Sequence, residues 1–576
     1  MSTLHAAPGP DSSSKIPSDA TRHLCAGVYV DEKFRDLVTS EVCTAPHRRV
    51  APSYGFDLVP VLRHAWWATH LAALPRLTTT AVLVAPIALG RPTAELLTLG
   101  GFTLLLLLDR AVALASEIAR TDEHPTARKK TKPHGRPLPA NGWLRRNRAR
   151  QLKHVGVIAL TVTLIMTALA LSSPAEAFLA ACLGGAVVGA AVLANVVRQL
   201  RINHIHKAET LRPRRMSHRE SVVERQQVHP YVIYRRPKHK GADDEESTVF
   251  TLFGEESPFI GAGELIHQWN PPMNIQLLRP GDEDLPLNQR EHRYPPFRTH
   301  ELVDHLREVV TQLQSDKEEV RLPVEVRDRV YVAESDVSAD RTLLRNPVDE
   351  TLMRRVINEQ DPARYHFLEV SVPEAGSELM ATVLLQVSLR GRTLSLSFAA
   401  CALTRNPDHF RKAEEFGQNG KRAIVGAAFA ALISLPREVT ALWKVVRYPY
   451  ILAKALVLYR RDLTLTPIRN VPIGSRISIR QAQAQEWSQA QFDKTYLLSH
   501  MKNIELRLLR ATSDFLRSHN VDISEFDNRA MQIINSGIVN LGGDNNISNT
   551  AFGHQAQSHN HDFPQTASTA QNEGTA

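Results

Sequence analysis

The residues best suited to chemistry form a basic loop between about residues 120 and 153. Guanidinium and ammonium groups bind phosphates and anionic lipid headgroups through charge-assisted hydrogen bonds. We expect contact with anionic inner-leaflet lipids at eight positions: Arg128, Lys129, Lys130, Lys132, Arg136, Arg145, Arg146 and Arg148. Nucleic acid is not expected as a partner, because the chain shows no RNP-like, helix-turn-helix or zinc-finger pattern.

Two residue pairs resemble chemical motifs but have simpler explanations. His204 and His206 form an HxH pair. No third ligand is close in sequence, so a solvated or lipid-facing pair is favoured over a metal site. Gly261 and Gly263 lack the third glycine of a dinucleotide-binding loop, and Pro271-Pro272 soon follows, so a turn is favoured there.

The sequence offers no recognisable catalytic set, since GxSxG, HExxH, Walker A and kinase motifs are absent. The four cysteines are scattered and predict reduced thiols rather than a disulfide framework or a metal site. They are Cys25, Cys43, Cys182 and Cys401. We therefore assign no catalytic residue, cofactor or metal ligand, and a non-enzymatic role is favoured.

The elements that must position the basic loop are apolar runs on either side of it. Four are present: Leu77–Leu89, Leu96–Leu108 with its extension Ala111–Leu114, Val155–Leu171 and Ala177–Val197. About 20 apolar residues are enough to cross a hydrocarbon core of ~30 Å. The pattern predicts four transmembrane helices in two hairpins, with Trp66 and Trp67 as interfacial anchors before the first.

The distribution of charge predicts the orientation of these helices. The net charge is +9, and its basic residues concentrate in the 120–153 loop and after the fourth run. The connections Gly90–Glu95 and Ser172–Glu176 contain one basic residue, Arg91. Because positive loops stay in the cytoplasm, we expect a plasma-membrane protein with both termini cytoplasmic.

The fourth run contains small residues at helix-packing spacing. Ala181, Gly185 and Gly189 recur every four residues, which lets helix backbones approach closely. Packing within the chain's own bundle is favoured over specific dimerisation.

The basic loop also resembles part of the UbiA prenyltransferase family. Arg136-Pro137-Leu138-Pro139 is similar to the Arg-Pro-Leu-Pro segment that follows the aspartate-rich helix in that family. The resemblance implies a membrane transferase in which aspartates hold magnesium against a prenyl or lipid diphosphate. Asp109, Glu117 and Asp122 do not reproduce the family's NDxxDxxxD pattern, and its second aspartate-rich helix is missing. The transferase is therefore the alternative interpretation.

After a basic linker, the chain changes to β-rich patterning. Strands are predicted at Thr248–Gly254, Asn274–Leu278, Val324–Val332, Phe367–Val372, Ala381–Ser388 and Thr393–Ala400. His300–Leu313 has the spacing of an amphipathic helix. The pattern predicts a cytoplasmic α+β domain with an antiparallel sheet, followed by a long C-terminal helix at Ala482–Ser518.

Between the sheet and that helix lies a further apolar stretch. Ala423–Leu435 has only 13 residues before Pro436, and the amphipathic, cationic continuation reaches about Arg461. This predicts an in-plane or re-entrant hairpin at the inner leaflet. A fifth span is the alternative, and it would place the C-terminus outside.

The C-terminal tail is rich in Asn, Gly and Gln and resembles amyloid-like signalling motifs. Amide ladders could stack such segments between chains; a small hairpin with a disordered tail is the favoured alternative. Seven residues are candidates for self-assembly: Ile533, Asn535, Gly537, Ile547, Asn549, Phe552 and Gly553.

Together these features predict seven regions. They are a mostly disordered N-terminal region (1–65), four transmembrane helices (66–200), a basic linker (201–246), the α+β domain (247–405), membrane-associated amphipathic helices (406–480), a helical region (481–530) and the tail (531–576). The function expected is that of a membrane protein with a partner-binding or scaffold domain and possible homo-oligomerisation. Its partners would be the bilayer, anionic lipids and an unidentified protein.

Overall fold

The computed structural model describes residues 16–123, 140–234, 258–281, 286–314, 322–337, 349–359, 361, 363–373, 378–418, 420–458, 473–475 and 477–536. Its helices are α1 (Asp19–Val30), α2 (Glu32–Val38), α3 (Leu58–Ala88), α4 (Pro92–Glu123), α5 (Ala140–Ser172), α6 (Pro174–Lys207), α7 (His218–Gln227), α8 (Leu287–Arg290), α9 (Thr299–Thr311), α10 (Glu334–Val337), α11 (Glu350–Asn358), α12 (Asp408–Gln418), α13 (Gly420–Thr440), α14 (Arg447–Leu458), α15 (Gln491–Ser518) and α16 (Ser524–Ser536). The strands are β1 (Tyr231–Tyr234), β2 (Glu264–Gln268), β3 (Met273–Gln276), β4 (Glu325–Ala333), β5 (Arg364–Pro373), β6 (Met380–Arg390) and β7 (Thr393–Leu403).

The N-terminal segment, residues 16–57, differs from the disorder predicted for it. The Ser18 side chain caps α1, and Asp31 accepts hydrogen bonds from two backbone amides to start α2. The apolar residues of these helices, including Leu24 and Phe34, are fully buried in a cluster with α3, α6, α7 and α12. Helices form between residues 16 and 57 because these residues supply both helix caps and an apolar packing face.

Five helices of the described residues are long and apolar enough to cross a membrane. They are Leu58–Ala88, Pro92–Ile118, Asn147–Ser172, Pro174–Lys207 and Gly420–Thr440. The first four contain the four predicted runs. Large apolar side chains on α5, such as Leu160 and Leu164, are about 60% exposed, as expected for a surface that faces lipid rather than water.

The fifth helix, α13, is longer than the sequence predicts. Pro436 lies inside it instead of ending it, so the helix has 21 residues and a length of about 31 Å. It packs against α6, α4 and α3. The sequence predicted an in-plane or re-entrant hairpin from a run of 13 apolar residues. The structure instead has an apolar helix that is long enough to span a membrane.

The strands form one mixed sheet in the order β1-β4-β5-β6-β7-β2, and β3 also pairs with β7. The antiparallel pairing predicted for the sheet is present from β4 to β7. β1, however, pairs with β4 in parallel, which corrects the antiparallel prediction. β1 comes from residues that the sequence assigned to the basic linker.

Gly263 allows β2 to begin beside β7. Its φ is +106°, and a Cβ atom there would lie 2.1 Å from the Ala402 carbonyl oxygen. Only glycine fits this close approach. The predicted turn at Gly261 and Gly263 is therefore present, and its role is to position a strand.

The two faces of the sheet are covered by different parts of the chain. On one face, α9 and α15 pack in the main core. The buried apolar side chains of α15 include Leu497, Met501, Ile504, Leu508 and Phe515. The helix begins at Gln491 rather than at the predicted Ala482. On the other face, Tyr54 of the N-terminal segment packs with Phe259, Tyr331 and Phe367.

Segments separated by apolar helices meet in one body. Residues 16–57 precede α3, residues 208–234 follow α6, and residues 258–403 and 473–536 lie on either side of α12 to α14. Gln485 N donates to Arg405 O at 3.0 Å, and Ser475 N donates to Ile233 O at 3.2 Å. The excursion, residues 404–458, therefore leaves and re-enters the same body.

Candidate functional site

The junction between the apolar helices and the sheet is built around a set of buried polar residues. We call it the buried clasp; its members are His23, Tyr54, Arg329, Glu369, Glu378, Asn406 and Arg480. Glu378 accepts a hydrogen bond from His23 Nδ1 at 2.8 Å and another from the Asn406 backbone at 2.9 Å. The Arg480 guanidinium donates to the Tyr54 and Glu378 carbonyls. The clasp thus ties the N-terminal segment to the sheet and to residues just before α15.

Burial and pairing set the charge states in the clasp. Burial tends to raise the pKa of Glu378, but the hydrogen bond and charge of His23, with the hydrogen bonds of Asn406, hold it below its usual value. Burial lowers the pKa of Arg480 to about 10, and the charge of Glu378 opposes this. Both groups are therefore charged at neutral pH.

A buried ion pair supports the other end of the clasp. Arg329 Nε lies 3.0 Å from Glu369 Oε2, and the two side chains are 1% and 0% exposed. The Tyr54 hydroxyl donates to the same carboxylate oxygen at 2.7 Å. Burial tends to lower the pKa of Arg329, but the charge of Glu369 outweighs it and raises that pKa. The pair, with Tyr54, holds a contact between strands β4 and β5 and the N-terminal segment.

Arg22 of α1 joins the N-terminal segment to the fourth apolar helix. Its guanidinium donates to the carbonyls of Ile205, His206 and Ala208 at 2.8 to 3.0 Å. A cation at a helix C-terminus satisfies carbonyls that lack helical partners and interacts favourably with the helix dipole. This contact fixes the end of α6 against α1.

A second set of contacts holds the excursion, and it is partly exposed. We call it the ion-pair cluster; its members are Glu32, Arg35, Asp36, Arg76, Glu438, Lys444 and Arg447. Glu32 lies 2.9 Å from Lys444 and 3.3 Å from Arg76, and Arg76 lies 3.0 Å from Glu438. Asp36 pairs with Arg447 at 2.6 Å. These pairs link α2 and α3 to the end of α13 and to α14.

Between α3, α7, α14 and residues 43–46 lies a cavity of about 420 Å³. Its lining residues are Cys43, Pro46, Leu62, Arg63, Trp66, Trp67, His70, Ser217, His218, Arg219, Glu220, Val222 and Ala455. Arg201 of α6 lies 5.0 Å above the Trp67 ring in a cation–π contact, and His70 contacts the rings of Trp66 and Tyr448. Charged groups and aromatic rings thus line a cavity of ligand size.

Most of the predicted lipid-contact residues cannot be placed. Arg128, Lys129, Lys130, Lys132 and Arg136 lie outside the described residues, and Arg145 and Arg146 are described only as part of the backbone of α5. Arg148 is placed, and its Nε lies 3.2 Å from Glu117 Oε2. That contact joins α5 to α4. The lipid contact of the basic loop therefore stays a prediction.

The small residues of α6 face outward. Ala181, Gly185 and Gly189 are exposed, and no heavy atom lies within 4 Å of a Cβ placed on either glycine. Among the described residues, therefore, no other helix lies close to either glycine, and packing through this stripe stays a prediction. His204 and His206 lie in the last turn of α6, where the His206 carbonyl accepts from Arg22.

Two of the seven self-assembly candidates lie in α16, and the other five follow its last residue, Ser536. Ile533 and Asn535 lie in this helix, and Ile533 packs against the main core. The start of the predicted β-prone segment is therefore helical, because an apolar face of α16 finds a place beside α15. Gly537, Ile547, Asn549, Phe552 and Gly553 lie outside the described residues, so assembly through them stays a prediction.

The carboxylates that a UbiA-like magnesium site would need do not converge in the described structure. Asp109 and Glu117 both lie on α4, and Glu117 is paired with Arg148. Among the residues that the structure describes, no group of three or more His, Cys, Asp or Glu side chains could hold a metal ion. Arg136–Pro139 lies outside the described residues, and of Asp122 only the backbone within α4 is described, so the UbiA-like alternative stays a prediction.

Part of the chain is similar to a known protein family. The AbeC-like domain matches residues 268–548. The matched stretch begins at the end of β2 and continues through α16, so it includes the excursion as well as most of the sheet. It covers slightly less than half of the chain and leaves out α1 to α7. Comparison with curated proteins and with solved structures finds no match.

Proposed function

We propose that this chain is an integral protein of the plasma membrane whose sheet domain serves as a cytoplasmic binding platform. The proposal is non-enzymatic: the platform would bind a partner protein at the inner leaflet, and the tail would add homotypic assembly. Five helices of suitable length and composition support insertion in a membrane.

One observation carries the topology of the proposal. The segments before α3, after α6 and on both sides of the excursion pack into one body, so they lie on one side of the membrane. The chain between residues 57 and 208 then crosses an even number of times, which fits α3 to α6. The excursion also starts and ends on that side, so α13 cannot act as a lone crossing that moves the C-terminal region outside.

The charge distribution supports the cytoplasmic side for this body. Basic residues flank the ends of α4, α5 and α6 that adjoin it. The opposite turns, residues 89–91 and Ser173, carry one basic residue between them. Short loops with excess Arg and Lys remain in the cytoplasm.

Cysteine labelling in intact cells tests this arrangement. In a Cys182→Ser background, single cysteines at Leu89 and Leu171 should react with a membrane-impermeant maleimide, since these side chains are 64% and 85% exposed. A cysteine at Glu525 should react only after permeabilisation. Labelling of Glu525→Cys in intact cells, or protection of both turn positions there, would contradict the topology.

Homotypic assembly is tested separately with the full chain. Copies that carry donor and acceptor fluorophores should show energy transfer in membranes, and removal of residues 537–576 should abolish it. Equal energy transfer with and without those residues would refute assembly through the tail, and it would not affect the proposed topology.

A further inference from the structure

The segment that follows α13 carries large apolar side chains on its surface. Residues 442–458 form a 3-10 turn (Leu442–Val446) and then α14. Five large apolar residues of this segment are 66% to 77% exposed: Trp443, Val446, Tyr450, Leu456 and Val457. Four of them recur at helical spacing and share one side of the segment. We call this side the outer face; it consists of Trp443, Val446, Tyr450 and Val457.

The charged groups of the segment are directed toward the protein. Lys444 Nζ lies 2.9 Å from Glu32 Oε2 of α2. Arg447, although half exposed, pairs with Asp36 of α2 at 2.6 Å. A helix that faces water has the opposite arrangement, with its apolar side chains against the protein and its polar side chains outward. The polarity of residues 442–458 therefore suits an apolar environment on the outer side.

The inner side of the segment packs along α3. The Tyr448 ring contacts the His70 ring at 5.7 Å between centroids, and Ala455 lines the larger cavity together with Trp66. Because α14 advances from 448 to 455 while α3 goes back from 70 to 66, the two helices are antiparallel here. Both α3 and the preceding α13 are candidate spans. The segment thus adjoins apolar helices at its start and along its length.

We propose that residues 442–458 lie against the inner leaflet, with the outer face in contact with lipid. Tryptophan and tyrosine favour the boundary between headgroups and acyl chains, which suits Trp443 and Tyr450. Lipid is the favoured occupant because the segment adjoins two candidate spans and ends beside Trp66, an expected interfacial anchor. This inference rests on the membrane insertion proposed above, and it adds a contact that holds the binding platform at the bilayer.

The ion pairs with α2 indicate which lipids the segment requires. Basic residues near a membrane attract anionic headgroups. Lys444 and Arg447 already have carboxylate partners in Glu32 and Asp36, so the contact depends on the apolar outer face. It should therefore form equally well on zwitterionic and on anionic bilayers.

Spin-label accessibility of the full chain in nanodiscs tests this contact. Single cysteines are placed one at a time at positions 443 to 457 in a Cys43→Ser, Cys182→Ser background and labelled with a nitroxide. Cys25 and Cys401 stay, because both are 0% exposed. Accessibility to oxygen, which concentrates in lipid, is compared with accessibility to a water-soluble nickel chelate.

The ratio of oxygen to chelate accessibility should be several-fold higher for Val446→Cys and Tyr450→Cys than for Arg354→Cys. Arg354 is an exposed residue of α11, and Arg354→Cys is the matched control. Along the segment the ratio should rise at positions 446, 450 and 457 and fall at 448 and 455. It should be the same in phosphatidylcholine nanodiscs with and without phosphatidylglycerol.

Each contrary result overturns a defined part of the proposal. High chelate accessibility at Tyr450→Cys would place the outer face in water, and low accessibility to both reagents would mean that protein covers it. A requirement for phosphatidylglycerol would refute pairing of the cations with α2. Leu160→Cys on α5, 61% exposed, separates this contact from membrane insertion. Lipid-like values there with water-like values at Tyr450→Cys would refute the contact alone, whereas water-like values at both would refute insertion.

Discussion

The chain holds its segments together through two physically different sets of charged contacts. The buried clasp joins residues that are almost fully excluded from solvent, as shown by Arg329 and Glu369 at 1% and 0% side-chain exposure. The ion-pair cluster holds the excursion through groups such as Glu32 and Lys444, which are 38% and 32% exposed. Both contain opposite charges at hydrogen-bond distance, so contact geometry alone does not separate them.

The difference lies in what happens when one partner is removed. A buried charge that loses its partner is left without solvation, whereas an exposed charge regains water and is screened by salt. The clasp should therefore behave as a permanent part of the fold. The ion-pair cluster should behave as an adjustable attachment of α13 and α14.

The largest effect is expected at the centre of the clasp. Arg329→Met should lower the free energy of unfolding by about 3 to 5 kcal/mol, because Glu369 stays buried without its cation. Thermal unfolding of the purified protein in detergent measures this. The double variant Arg329→Met, Glu369→Leu should recover most of the loss. A loss below about 1 kcal/mol for the single variant would place the pair in the same class as the exposed cluster.

Glu378 makes the clasp sensitive to acid. Its pKa is lowered in the folded protein, so its contribution is present above the unfolded value of about 4.3 and is lost as the pH falls through the folded value. Glu378→Gln should be less stable than the unmodified chain at pH 7, and the difference should close as the pH falls below the unfolded value. Midpoints of thermal unfolding from pH 7 to below that value measure it. A constant difference would show that the carboxylate charge is not what stabilises the clasp.

Arg22 should have an intermediate effect. Arg22→Gln removes the cation that binds three carbonyls at the end of α6, and we expect a loss of about 1 to 2 kcal/mol. Arg22→Lys keeps the charge but not the planar fork, so it should recover part of the loss. Unfolding midpoints at low salt measure both variants. Equal stability of the unmodified chain and the two variants would show that Arg22 does not stabilise the junction.

The smallest effect is expected in the ion-pair cluster. Lys444→Gln should cost less than about 1 kcal/mol, and 1 M salt should remove the difference from the unmodified chain. Proteolysis near residues 441–447 should increase even though the unfolding midpoint hardly moves. A salt-independent loss comparable to that of Arg329→Met would contradict the comparison between the two attachments.

The parts of this fold that sequence could predict are those with a local signal. Hydrophobicity located α4, α5, α6 and the end of α3, β-rich segments located β4 to β7, and the predicted long helix, Ala482–Ser518, contains α15. Trp66 and Trp67 were also expected at the membrane interface, and they line the cavity. These elements carry their signal within 10 to 30 consecutive residues.

The clasp has no such signal. His23 and Glu378 are 355 positions apart, and Arg480 and Tyr54 are 426 apart. Nothing near any of these residues distinguishes them from solvated surface groups. β1 was missed for a related reason. Four residues after a basic stretch do not predict a strand, and Tyr231–Tyr234 forms a strand only because it pairs with β4. Correlated substitutions between distant positions would be the signal that reveals both the clasp contacts and the pairing of β1 with β4.

The order in which the clasp residues are synthesised has a consequence for how the protein is made. Arg480 leaves the ribosome 426 residues after Tyr54, which at 5 to 20 residues per second is about 20 to 85 s later. During that interval the first four apolar helices can enter the bilayer, while the N-terminal segment waits with Leu24 and Phe34 uncovered on one flank. A chain whose synthesis stops before residue 480 can therefore insert in the membrane but cannot form the complete buried clasp. The unfinished product would present its exposed apolar surface at the membrane, where quality-control proteases could recognise it.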